Sequence, residues 1–144
     1  MFDDATIKTN INVPFYMIRT AHPHLKPGAT NFATALRQGY DPTPDLYAYA
    51  QTKTAIMEHV KSLAKQLASE SIRVNGVAPG PFRIPLQVSG GATPDKLKNF
   101  DATTSLGRPG QPAELASIYV QLAAHDASFT MGPIYGASGR TGQP

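Results

Sequence analysis

Tyr49 and Lys53 stand four residues apart in the segment YAQTK. On a helix, positions i and i+4 share a face, so the Lys53 ammonium can approach the Tyr49 hydroxyl and favour its phenolate form. A phenol tuned this way suits general-acid reduction of a carbonyl, or the reverse oxidation of an alcohol. The spacing recurs on many solvated helix faces, so its surroundings decide the reading. Downstream the chain runs TKTAIMEHVKSLAKQLASESIRVNGVAPGPFRIPL, which combines a long helix, a short apolar strand and a proline-glycine turn at the strand's carboxyl end.

The elements that must position this pair are read from periodicity. Apolar residues at Ile56, Val60, Leu63 and Leu67, with Glu58, Lys61 and Lys65 on other faces, predict a helix over about 46–69. Ile72, Val74 and Val77 predict a strand over 71–78, stopped by Pro79 and Gly80. Ile7, Ile11, Pro14, Phe15 and Ile18 predict a first helix over about 4–21, bent at Pro14 because proline has no amide to donate. Residues 31–36 read as a short strand, 94–100 as a short helix, and 82–105 otherwise as irregular chain. A third long helix opens at Pro112 and runs to about residue 124 with Leu115, Ile118, Tyr119 and Leu122 on one side. A last strand is read over 129–135. Alternating helices and strands predict an α/β fold with parallel pairing, since parallel strands need crossover connections. Only about three strands are found, so one edge of the sheet should stand open.

The composition bounds the function. The 144 residues suffice for one small domain, 1–144, and 13 prolines with 12 glycines predict abundant turns. Thirteen basic residues against ten acidic ones are scattered without a dense run, which argues against a nucleic-acid partner. The absence of cysteine excludes disulfides, thiol catalysis and thiolate metal sites, and no metal is expected. His22 and His24 in HPH read as turn residues, and His59 and His125 as solvated. The start MFDDATIKTN lacks a basic segment followed by an apolar core, and no stretch approaches a membrane span, so a cytoplasmic location is expected.

From Thr9 through GRPGQPAELASIYVQLAA to the last glycines, the chain resembles the short-chain dehydrogenase/reductase family, in its glucose/ribitol-dehydrogenase-like branch. The resemblance implies the later part of a Rossmann-like, doubly wound parallel sheet, about three strands with long flanking helices. The family's glycine-rich TGxxxGIG turn and its NNAG motif have no counterpart here. It further implies a reaction at the CH–OH group of a sugar, polyol or related alcohol or carbonyl, with NAD or NADP as cofactor. Tyr49 would be the acid/base, Lys53 would lower its pKa and orient the ribose, and Asn10, in TNINVPF, would keep a proton relay. Pro79, Gly80 and Phe82 match the backbone that cradles the nicotinamide.

Three departures stand at functional positions. The catalytic serine position reads Leu36, with Thr34 two residues earlier as a conceivable substitute. The cofactor-binding threonine position reads Ile84, and Gly139 is followed by Arg140 where two glycines are usual. Impaired catalysis is the expectation from these. A non-catalytic oligomerisation module, self-associating or pairing with a full-length relative, and a truncated relic of such an enzyme stay open as alternatives. The terminal GASGRTG only superficially resembles a phosphate loop.

Overall fold

The computed structural model describes residues 4–42, 44–89, 93–98, 100 and 104–139. Three parallel strands form one sheet in the order β1-β2-β3, with β1 at Thr30–Thr34, β2 at Arg73–Pro79 and β3 at Ile134–Ala137. Thr30 to Thr34 align with Arg73 to Val77, and Gly76 to Pro79 align with Ile134 to Ala137. The predicted α/β class, the parallel pairing and the count of three strands agree with this. β1 carries a β-partner on one side only, and its other edge has none among the described residues.

β2 is buried along its whole length because side chains alternate between two covered faces. Helix α3, Tyr47–Leu67, packs one face: its Val60, Ala64 and Leu67 meet Ile72 and Val74. Closer to the carboxyl ends of the strands, Ile56 and Met57 of α3 meet Ala35 and Ala78. This is the stripe its periodicity predicts. Helix α6, Pro112–Ala123, covers the opposite face, and Arg73 on that face donates to the Leu122 and Ala124 carbonyls at 2.8 and 3.2 Å. A cation there satisfies carbonyls left open at the end of a helix. At the other end of α6, Arg108 grips Glu114 through both guanidinium nitrogens at 2.7 and 2.8 Å.

The first helical segment is continuous but not uniform. It begins as α1, Asp4–Ile7, widens into a π-helical turn at Lys8–Asn12, and continues as α2, Val13–Ala21. The Val13 amide donates to the Lys8 carbonyl five residues back, and Pro14 has no amide for the Asn10 carbonyl four residues back. Proline therefore acts here by widening the turn before it.

Two expectations shift. The last strand begins after Pro133 instead of at residue 129, since residues 129–132 are spent on a loop that delivers the Gly132 amide to the Val74 carbonyl at 2.8 Å. The short helix expected over 94–100 is present as α5, Pro94–Lys98, whereas α4, Pro85–Ser89, lies where irregular chain was expected. A five-residue helix is too short to show a period. Arg140 and the end of the GASGRTG segment lie outside the described residues.

Candidate active site

A cleft of about 480 Å³ opens at the carboxyl ends of β1 and β2, the usual place for a ligand in an open parallel sheet. Tyr49 and Lys53 of α3 line it, and so do Leu36, Pro79, Gly80 and Phe82. Five of the six residues expected at the site therefore share one cavity. The sixth, Asn10, lies elsewhere: it lines an adjacent cleft of about 360 Å³, and Lys53 and Thr34 belong to both clefts. Lys53 is thus the wall between Tyr49 and Asn10.

The pair meets in a different geometry from the one expected. The Lys53 ammonium donates to the Thr34 carbonyl at 3.1 Å and stands 5.4 Å from the centre of the Tyr49 ring. Cation–π attraction operates at that distance. Burial pushes the Tyr49 phenol above its ordinary value and pushes the Lys53 ammonium below its own. The expected lowering of the Tyr49 pKa is therefore corrected. Desolvation penalises both charged forms, and the ammonium is aimed at a carbonyl. A phenol kept protonated is a proton donor at neutral pH.

Two threonines make contacts that bear on the site. The hydroxyl of Thr34, the conceivable substitute for serine at Leu36, is engaged with the Tyr119 hydroxyl at 2.7 Å on the α6 side of the sheet. Thr52 carries an unforeseen connection. It is fully buried, accepts from the Asn10 amide at 3.0 Å and donates to the Tyr49 carbonyl at 2.8 Å, tying the π-helical turn to the turn of α3 that presents the phenol. It lies inside YAQTK, yet threonine within a helix gives no sign from sequence that its hydroxyl has a distant partner.

The turn after β2 is equally constrained. A Cβ on Gly80 would sit 2.5 Å from the Ser138 Cα, so only glycine lets the two chains approach this closely. Phe82 pairs with Gly110 in an isolated parallel bridge, the Gly110 amide reaching the Pro81 carbonyl at 2.9 Å and the Arg83 amide reaching the Gly110 carbonyl at 3.0 Å. The GRPGQP segment thereby holds the wall of the cleft. Ile84 also lines it, with an apolar side chain where the resemblance leads one to expect a hydroxyl.

The histidines divide. His22 pairs with both carboxylate oxygens of Glu70 at 2.9 and 3.0 Å, and His125 is exposed. His59 departs from the solvated position expected: it is half-buried between α2 and α3, and burial pushes its pKa down. No group of three candidate metal ligands occurs among the described residues. Among those residues, too, no helix is long and apolar enough to cross a membrane.

Comparison with known proteins gives the family and the fold. Residues 3–139 match the family model described as enoyl-(acyl carrier protein) reductase. The uncharacterised oxidoreductase YghA of Escherichia coli is 44% identical over 134 residues, covering 93% of this chain and 46% of that protein. The crystal structure of a short-chain dehydrogenase/reductase, glucose/ribitol dehydrogenase, from Brucella melitensis superposes with a TM-score of 0.88 at 28% identity, over 99% of this chain and 59% of that one. The angucycline C-6 ketoreductase LanV, crystallised with bound NADP, gives a TM-score of 0.83 at 25% identity, over 92% and 51%. The chain spans about half the length of the curated relatives it matches, as the 46% coverage of YghA illustrates. By the family match, the shared sheet and the sequence identity, this chain belongs to the short-chain dehydrogenase/reductase family.

Proposed function

We propose that the cleft beside Tyr49 interconverts an alcohol and a carbonyl in partnership with NAD or NADP, the resemblance alone pointing to the CH–OH group of a sugar, polyol or related alcohol. The observation that carries this reading is that Tyr49, Lys53 and the Pro79–Gly80–Phe82 turn line one cavity. The cavity fits the nicotinamide end of such a cofactor: the proline-glycine turn and Phe82 offer an apolar wall to the ring, and Lys53 keeps donors beyond the one given to Thr34 for ribose hydroxyls. When bound, the cofactor supplies a hydride to the carbonyl carbon and is itself oxidised. Tyr49 gives its proton to the carbonyl oxygen, completing the alcohol, while Lys53 stands beside the Tyr49 ring and on the Thr34 carbonyl. Asn10, on the far side of Lys53, is proposed to pass protons to the lysine from solvent. With Leu36 in place of a second donor, the rate is proposed to be low.

Thermal unfolding with and without millimolar NADPH or NADH tests the first half of this reading, since a ligand that binds only the folded state raises the midpoint. Consumption of NADPH or NADH with aldehydes, or of NADP or NAD with alcohols, tests the second half. Any rate abolished by Tyr49→Phe supports the reading; a rate unchanged by it refutes the role of Tyr49. A cytoplasmic location is proposed alongside, to be checked by cell fractionation.

A second reading is favoured by the edge of β1 that has no strand partner among the described residues and by the exposed Phe15, Tyr16 and Met17 on α2. Unpaired strand edges and exposed apolar faces both invite association. We propose that the chain self-associates or pairs with a full-length relative. A monodisperse monomer at micromolar concentration in sedimentation velocity would refute self-association.

A further inference from the structure

Resting on the oxidoreductase reading, we infer that the cleft takes a monofunctional apolar alcohol or carbonyl compound, alkyl or aryl, in preference to a sugar or polyol. Among the described residues the wall carries five polar side chains, and four of them already make at least one protein contact, Lys53 keeping its other donors. The Thr34 hydroxyl is engaged with Tyr119, Arg37 with the Asp41 carboxylate, Lys53 with the Thr34 carbonyl, and the Gln87 amide donates to the Phe82 carbonyl at 2.8 Å. The Tyr49 hydroxyl is the group left without a hydrogen-bond partner among the described residues.

The rest of the wall is apolar among the described residues. Leu36, Leu46, Phe82, Ile84, Phe100 and Leu115 line the same cleft as Tyr49. A polyol entering here would give up water at each hydroxyl and find partners for one or two of them, and an unmet buried polar group is expensive. A ligand with one oxygen needs one donor, and its carbon body meets surface of its own kind. Leu36 and Ile84 stand at the two positions where the resemblance leads one to expect hydroxyls, so both departures shift the cleft the same way.

The test is a ligand-detected NMR titration of the full chain with 2-acetylnaphthalene and with ribitol. The ketone should bind saturably and at least about tenfold more tightly than ribitol, a one-contact difference. Ile84→Asp and Leu46→Asp, at positions 40% and 41% exposed, alter the mouth of the cleft without burying a charge in the core. In either variant, with far-UV circular dichroism unchanged, ketone affinity should fall at least about tenfold. Equal or tighter binding of ribitol, or ketone binding indifferent to both variants, would overturn the inference. Ketone bound as expected, but with no NADPH or NADH consumed, sustains the ligand class and counts against the oxidoreductase reading. Turnover of ribitol with NAD or NADP, and none of the ketone, overturns the ligand class and sustains the reaction.

Discussion

Replacing Leu36 with serine should raise the reduction rate by about a hundredfold, the lower end of what one oriented donor contributes to a developing oxyanion. Leu36 follows β1, shares the cleft with Tyr49, and has extended backbone at φ −160° and ψ 156°. It occupies the position that caps the short turn Arg37–Gly39, with no side-chain capping bond. A serine hydroxyl there can accept from an amide of that turn while its own proton points to substrate, so the two roles use different atoms. Capping stabilises by about 1 kcal/mol. Leu36 is half-buried, and removing its apolar surface costs about 1 kcal/mol, part of the value for full burial. The terms nearly cancel, so the midpoint of thermal unfolding should move by less than about 4 °C. The assay is NADPH consumption with 2-acetylnaphthalene at matched protein concentration, wild type against Leu36→Ser, with a parallel melt. Equal rates in two equally folded proteins would refute the argument that a missing donor limits the reaction.

Three further outcomes are expected. Tyr49, with its folded pKa raised above 10.0, binds more protons folded than unfolded, so its share of stability is complete below pH 10.0 and is lost as pH rises through the folded value. Lys53, lowered from 10.5, binds fewer protons folded, so its share rises with pH between its folded value and 10.5. Melts between pH 8 and 11 should therefore fall less steeply in Tyr49→Phe and lose the rising component in Lys53→Met. Gly80→Ala should cost about 1–3 kcal/mol, because the added methyl meets Ser138 backbone; urea unfolding measures it, and an unchanged midpoint would contradict the close approach. Glu114 is held down to about 2, first by Arg108 and then by the Gln111 amide, so its contribution is present above pH 4.5 and is lost as pH falls towards 2. Melts over that window should be flatter in Glu114→Gln.

The reading of α3 from Ile56, Val60, Leu63 and Leu67 succeeded because a buried stripe on a long helix leaves a period that loops cannot imitate. β2 was legible as a β-branched run closed by proline and glycine. β3 was placed too early because Phe129 and Met131 look strand-like, whereas Pro133 has no amide for a ladder and its carbonyl serves the Gly76 amide at 3.0 Å. α4 left no trace, since its five residues make little more than one turn. Five of the six site residues were found on one cleft because the motif carrying Tyr49 and Lys53 and the turn after β2 follow adjacent strands.

The sequence by itself determined that Tyr49 and Lys53 share a helix face, that a glycine turn follows the central strand, and that hydroxyls are absent at residues 36 and 84. Those facts depend on residue type and local spacing. Only the tertiary structure decided that burial pushes the phenol's pKa up, that Lys53 divides two clefts with Asn10 on the far side, and that Tyr119 holds the Thr34 hydroxyl. Each of these depends on what elements distant in sequence bring against a side chain. Desolvation and hydrogen bonding are properties of the packed neighbourhood, which no spacing along the chain records.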